Sequence, residues 1–512
     1  MKRILFYIVL WLIPTMALAD VNHLPKRTIE NVAENSYIDS IKYDIGLFDI
    51  DDSLLSVHCP DIMIKPERMI TRENELFIHS SELAYTPYNS NKSNYLIIID
   101  YALYDTLRFE IKRYAEDVHT IYGYGVYVES VINSNPQNLK DLIISYQNNL
   151  IGVLLVGDVG EAYFETDNDH NKYGYRKWPC DVFFMDLNGT WSDTDNNGIY
   201  DKHIGWVGVE IFVARLLGKG AQLGSESLLI RNQLQKSHEY WWKSSFHTAD
   251  TILNYIDHDW IGSFSSSSVE PVLPSGIVED IRYGIDTIFS SSDYLHRINR
   301  THYGFTFLAC HGDAIGHAFT DSTIYVPQIK WNLSNSYVYN LYCCSACNWC
   351  PSMNIGYLGG AYLFNNGKTM TVVGTTKTGG MQFFPNYFYE YFPIKNVGEA
   401  FLSWWQRVFG NGIANYYIWW NYGMVILGDP TIKLHYDVHD MCEENLYLNS
   451  YPSDNQSNLI MFKAGNIINV SKDFIIPNGV HVIFDAPKVI FENGFCCPIG
   501  ASFETRSEGC EL

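Results

Sequence analysis

Predominantly apolar runs constrain this chain most. Tyr95-Leu96-Ile97-Ile98-Ile99-Asp100, Ile151 to Asp158, Phe305-Thr306-Phe307-Leu308-Ala309-Cys310 and Val338-Tyr339-Asn340-Leu341-Tyr342-Cys343 lack the polar alternation of a strand with one wet face. Such strands are buried on both sides and belong to parallel sheets covered by helices. Helical patterns fall between them, through Leu107-Phe109-Ile111-Tyr114, from Asn138 to Asn149 and from Ser225 to Ser244. Further strands are expected at Val126–Val128, Thr251–Tyr255 and Thr369–Gly374, so strand and helix alternate and an α/β fold follows.

Two of these runs end in reactive side chains. The first is followed by His311-Gly312 and the second by Cys344. If the two strands are neighbours, both residues emerge at the carboxyl edge of the sheet, where open α/β folds place their chemistry. A thiol beside an imidazole is a nucleophile with its base. Competing residues lie close by: His302 and His317 for the base, Cys343 and Cys347 for the nucleophile. Strand alternation sends Cys343 to the face opposite Cys344, and Cys347 lies beyond the strand.

The ends of the chain differ from its centre. Lys2-Arg3, an apolar stretch to Pro14 and Ala17-Leu18-Ala19 before Asp20 read as a signal peptide over 1–19, so bacterial export to the medium or cell surface is expected. Residues 20–90 hold short alternating runs such as Glu75-Leu76-Phe77-Ile78 and read as a β-rich segment, with a pro-region among its possible roles. From 437 to 512 short β runs separated by Pro477-Asn478-Gly479 and Glu492-Asn493-Gly494 predict a small β-stack or solenoid. No later stretch reaches the roughly 18 apolar residues that span a bilayer. With 35 basic and 57 acidic residues the net charge is −22, which disfavours nucleic acid and anionic membranes and leaves capacity for divalent cations. No membrane insertion is expected, and a monomer is.

Eleven cysteines in an exported chain would ordinarily form disulfides. Cys442, Cys496, Cys497 and Cys510 are the candidates. Cys344-x-x-Cys347-x-x-Cys350 also admits an iron-sulfur or zinc reading, but Pro351 directly follows Cys350 and no second Cys pair supplies a fourth ligand.

Asp193-Thr194-Asp195-Asn196-Asn197-Gly198-Ile199-Tyr200-Asp201 has the ligand spacing of an EF-hand calcium loop. Asp193, Asp195, Asn197 and Asp201 supply side-chain oxygens, Ile199 a carbonyl, and Gly198 the turn. Ile204 replaces the bidentate acid at the twelfth position, so another carboxylate such as Asp186 must complete the shell. A structural Ca2+ is expected; an Asx-rich turn without an ion is the alternative.

The residues quoted so far resemble the gingipain-like branch of the caspase-like cysteine peptidases, over roughly residues 90 to 436. Beside the His-Gly and Cys strand ends, the blocks Val153–Asp158, Glu210-Ile211-Phe212-Val213-Ala214-Arg215, Val373-Gly374 and Leu427-Gly428-Asp429-Pro430-Thr431-Ile432-Lys433-Leu434 occur in family order. The resemblance implies a caspase-like core of two side-by-side α/β sub-domains with mostly parallel sheets, 91–245 with the calcium loop and 246–436 with the dyad. It also implies a secreted cysteine endopeptidase acting on protein or peptide substrates through a thioester acyl-enzyme. Cys344 would be nucleophile, His311 base, Glu210 the acid near the histidine, and the backbone N–H groups of Gly312 and Cys344 the oxyanion donors. One such donor is worth about 2.7–4 kcal/mol in the transition state. No organic cofactor is implied.

Arginine-cutting gingipains carry an acid shortly after the segment matching Arg215, where this chain has Gly218-Lys219-Gly220-Ala221, so basic specificity is not implied. Thr375 to Met381 is expected to border the specificity pocket, Arg215 to form a structural ion pair, and Tyr416, Tyr417, Trp419 and Trp420 to be core. Two other classes stay open: a non-catalytic calcium-dependent surface or adhesion protein that keeps the fold, and a Cys-ligated metal protein.

Overall fold

The computed structural model describes residues 78–87, 92–132, 135–169, 173–204, 207–242, 251–264, 278–286, 289–351, 353–381, 395–409, 418–434, 443–451 and 459–507. The signal peptide, most of the 20–90 segment, Cys442, Cys510, Tyr416 and Tyr417 lie outside them. All described residues belong to one unit, Ile64–Leu512.

Among the described residues, eleven strands form the central sheet: β1 (Ile78–Tyr85), β2 (Asn94–Asp100), β3 (Gly125–Ile132), β4 (Leu150–Val156), β5 (Phe212–Leu216), β6 (Thr251–Ile256), β7 (Val278–Tyr283), β8 (Tyr303–Ala309), β9 (Ser336–Tyr342), β10 (Thr371–Thr375) and β11 (Met424–Gly428). Their order is β1-β3-β2-β4-β5-β11-β10-β9-β8-β6-β7. Every pair is parallel within β3-β2-β4-β5 and within β10-β9-β8-β6-β7, whereas β1/β3 and β10/β11 are antiparallel. This is the expected mixed α/β, caspase-like architecture. The two halves join edge to edge into one sheet where β5 meets β11 at Ala214 and Arg215.

The apolar runs explain the central positions. Tyr95 to Ile99 in β2 and all seven residues of β8 and β9 are buried. Each fully buried Leu or Ile contributes on the order of 1.5–3 kcal/mol, a gain that an edge position would forfeit. The strands not anticipated are β7 and β11. β7 is an edge strand with half-exposed Glu279, Asp280 and Arg282, so it carries no apolar run, and β11 has only five residues. β1, from the end of the 20–90 segment, is the opposite edge.

Helices cover the faces. Tyr101–Tyr122 starts where the Asp100 side chain accepts from the Ala102 N–H (2.7 Å) and stops at Gly123 in the left-handed region. Leu107, Ile111, Tyr114, Ala115 and Val118 make its buried stripe, while Phe109 faces solvent. It packs on Glu226–Trp242 through Arg231–Glu110 (2.9 Å) and Arg113–Gln235 (2.6 Å). Helix Val397–Phe409 buries Trp404 and Trp405. No helix among the described residues is long and apolar enough to cross a membrane.

Strands Glu443–Leu448, Leu459–Val470, His481–Asp485, Lys488–Phe491 and Ser502–Arg506 pair in parallel around Phe474, Ile476, Val482 and Phe484. Gly479 and Gly494 make the turns with φ of 82° and 109°. Cys496 and Cys497, expected in disulfides, are free thiols.

Candidate active site

Three adjacent parallel strands end level with one another. Ile256 of β6 pairs with Ala309 of β8, and Ala309 with Tyr342 of β9. His311 and Cys344 each stand two residues beyond their member of this row, Asp259 three beyond Ile256. Neighbouring strands lie about 4.8 Å apart, so the topology delivers all three to one stretch of the carboxyl edge. The Cys310 N–H reaches the Tyr342 carbonyl (3.2 Å) and the Asp257 N–H the Ala309 carbonyl (2.8 Å), which extends the pairing past the strand ends.

His311 Nε2 lies 3.4 Å from Asp259 Oδ2, and this hydrogen bond, more than any other influence, holds the Asp259 carboxyl below the usual carboxylate range. Trp260 packs against the imidazole at 5.1 Å between ring centroids and edge-on against Tyr342 at 4.9 Å, walling the histidine on one side. Sequence reasoning passed over Asp259. The signal was present: Asp257-His258-Asp259 directly follows the β6 run, as His311 and Cys344 follow theirs.

Cys344 is part-exposed. Burial of its sulfur, reinforced by Cys343, pushes the thiol up to about 11; the Gly379 N–H and the Lys377 ammonium pull the other way. No helix starts directly after Cys344: residues 344–347 form a turn, with Ser345 at φ 56° and its N–H on the Lys377 carbonyl (2.8 Å), and the next helix among the described residues is Leu358–Phe364. The nearby donors therefore come from the 375–381 loop. That loop, expected at the specificity pocket, borders Cys344 through Lys377, whose buried ammonium sits 2.9 Å from Asp169 and over the Trp178 ring.

Cys343 points away, as alternation requires. It is buried, 3.3 Å from His317 Nδ1, and His317 is itself sealed in the core. Gly312 has a packing reason to be glycine: a Cβ there would stand 2.3 Å from the Gly316 carbonyl oxygen and 2.5 Å from Cys343 Sγ. Cys347 is buried beneath Gly374, and Cys350 Sγ lies 3.2 Å from the Tyr163 hydroxyl. Among the described residues Cys344, Cys347 and Cys350 do not converge as a metal-ligand set.

Glu210 is engaged elsewhere. Its carboxylate accepts from the Leu187 N–H (2.7 Å) and from the Asn188 amide, and burial raises it above the usual carboxylate range. The acid beside His311 is Asp259. Arg215 is fully buried against Asp181 (2.8 Å) and the carbonyls of Val159 and Gly160, with Trp349 stacked on its guanidinium. Trp420 is half-buried against the core.

The acidic loop is the tip of a β-hairpin between Thr190–Ser192 and Lys202–Ile204. Carboxylate oxygens of Asp193, Asp195 and Asp201 lie within 4.8 Å of one another. Gly198 and Asn196, at φ 87° and 59°, make the turn, and the Asp193 carboxylate accepts the Asn197 and Gly198 N–H groups (3.2 and 2.7 Å). Asn197 donates to buried Glu165 (2.6 Å), and the Ile199 N–H donates to the Asn197 side-chain oxygen (2.9 Å). Asp186 faces Trp191 and His203 (both 2.9 Å), so Glu165 is the additional carboxylate at the loop. Ile204 is exposed.

A model of peptidase family C25 matches residues 88–435, well over half the chain. Among solved structures the chain is similar to gingipain R, an Arg-specific cysteine proteinase, at 13% identity, covering 71% of this chain and 84% of that one with a TM-score of 0.49. A structure described as a protease shares 13% identity over 74% of this chain and 86% of its own, at a TM-score of 0.48. The complex of Porphyromonas gingivalis RgpB pro- and mature domains shares 10% identity over 70% and 84%, also at 0.48. No curated protein matches. With the family's match spanning ten of the sheet's eleven strands, β2 to β11, this chain belongs to peptidase family C25, the gingipain family of caspase-like cysteine peptidases.

Proposed function

We propose that this peptidase is an exported endopeptidase that cleaves protein or peptide chains with Cys344 as nucleophile, His311 as general base and acid, and Asp259 as the group that orients the base. The observation that carries the reading is the level row Ile256–Ala309–Tyr342, from which all three residues follow within three positions.

With the Nε2 proton of His311 directed at Asp259, Nδ1 is the nitrogen left to accept the Cys344 proton. A thiol held near 11 is protonated at rest, so proton transfer accompanies attack on the scissile carbonyl. The sulfur–carbon bond forms and the carbonyl electrons move onto oxygen, where the Gly312 and Cys344 N–H groups are the assigned donors. Collapse expels the amine, which takes the proton back from His311 and leaves a thioester. Water, deprotonated by the same imidazole, then releases the acid and restores the thiol.

The hairpin loop suits Ca2+. Hard carboxylate oxygens from Asp193, Asp195 and Asp201, the Asn197 side chain and the Ile199 carbonyl form the ligand set, with Glu165 behind Asn197. Bound calcium would offset two of the three negative charges that converge there and stiffen the hairpin before β5, remote from the bond being cleaved.

The test is cleavage of a peptide library by the purified chain with Cys344→Ala as control. Cleavage that vanishes in the control supports the assignment, and equal cleavage by both proteins overturns it. The library also reads out specificity, for which the salt-bridged Lys377 in the loop beside Cys344 argues against a free acidic pocket.

A further inference from the structure

Immediately before each proposed catalytic residue stands a second cysteine, Cys310 before His311 and Cys343 before Cys344. Both are buried and turn their sulfurs toward His317, which the proposed mechanism does not use. His317 Nδ1 lies 3.5 Å from Cys310 Sγ and 3.3 Å from Cys343 Sγ, and the three ligand atoms fall within 4.8 Å of one another. We propose that Cys310, Cys343 and His317 form a site for a zinc-class divalent cation, on the face of the strand ends opposite Cys344.

The spacing argues for a metal. Zinc with Zn–S near 2.3 Å and Zn–N near 2.0–2.1 Å in a tetrahedron separates its ligand atoms by about 3.5–3.8 Å. The two sulfur–nitrogen separations are close to that edge length before any ion has drawn the ligands in. A fourth ligand is at hand in the His311 main-chain carbonyl, 3.6 Å from Cys343 Sγ.

Charge and support agree with the spacing. Two thiolates neutralise a divalent ion, so the loaded site carries no net charge into a core that could not hold one. On binding, each thiol gives up its proton to solvent as its metal–sulfur bond forms. The far nitrogen of His317 is held by the Tyr362 hydroxyl (3.0 Å), itself bonded to the Tyr294 hydroxyl (2.9 Å), the outer support that metal-bound histidines use. Soft thiolates favour zinc over calcium, so this site and the hairpin loop would select different ions. Its consequence is positional: an ion here ties the backbone before His311 to the backbone before Cys344.

The experiment uses the full chain, purified under reducing conditions from zinc-supplemented medium and dialysed without chelator, then reloaded with Co2+. Expected are one tightly held zinc per chain by atomic spectrometry and, with cobalt, a thiolate-to-metal charge-transfer band that carboxylate ligands cannot give. The band should survive Cys347→Ser and Cys344→Ala and be lost in Cys310→Ser and Cys343→Ser. Should those serine variants misfold, the wild-type spectrum and His317→Gln still decide. Absence of a sulfur-ligated cobalt spectrum with all thiols titratable overturns the proposal, as does a Cys310–Cys343 disulfide found by peptide mapping. Because the readout is the metal, the result is independent of whether the chain cleaves peptides.

Discussion

His311 Nε2 and Asp259 Oδ2 stand 3.4 Å apart although the two residues are 52 positions apart in sequence, because β6 and β8 end level in the sheet. The Asp259 side chain is 49% exposed, so the pair is worth little in charge attraction and acts by orienting the ring. Asp259→Asn should lower kcat about fivefold or less, the equivalent of up to about 1 kcal/mol, and leave KM near its original value. Steady-state kinetics against Glu210→Gln checks the assignment: a kcat loss in the Glu210 variant alone would return the orienting role to Glu210.

Cys344→Ala and His311→Ala should each reduce peptide cleavage by more than about a thousandfold while the melting temperature stays within a few degrees. Neither side chain carries the core. Cys347→Ala should keep activity, since its sulfur is buried beneath Gly374. Activity that survives at 344 and disappears at 347 would move the nucleophile.

Alkylation of Cys344 should report its protonation. Only the thiolate reacts, and with the thiol raised to about 11 its fraction climbs tenfold per pH unit across the neutral range. Labelling by iodoacetamide, followed by mass spectrometry of the peptide, should therefore still be accelerating at pH 9. A plateau near pH 7 would mean that the imidazole already holds the proton at rest.

Arg215 and Asp181 form an ion pair with both side chains 1% exposed. Removing one partner leaves the other charge buried, so Arg215→Met should cost about 3–5 kcal/mol in chemical denaturation. A loss below about 1 kcal/mol would mean that water reaches Asp181.

Calcium removal should destabilise the hairpin. EGTA is expected to lower the melting temperature by a few degrees and calcium to restore it, with no response in Asp193→Ala, because ligand binding to the folded state alone adds stability by mass action. An unchanged melting curve in the wild type on chelation would remove the ion.

The strands that lead to the proposed catalytic residues were legible because their signal is local. Seven consecutive buried residues in β8 and in β9 favour apolar side chains on both faces, with Thr306, Ser336 and Asn340 as buried polar exceptions, and His311 and Cys344 stand just beyond where those runs stop. The acidic hairpin loop was legible for the same reason, its carboxylates being spaced along nine residues. Edge strand β7 was not, since its half-exposed faces tolerate Glu279, Asp280 and Arg282.

Sequence alone thus determined the α/β class, the largely apolar strands and the placement of a histidine and a cysteine at the ends of two of them. Tertiary structure decided the partners: that Asp259 rather than Glu210 meets His311, that Glu165 rather than Asp186 backs the acidic loop, and that Cys343 meets Cys310 and His317. The physical reason is that strand register and loop closure bring together residues whose separation in sequence carries no information about their distance in space.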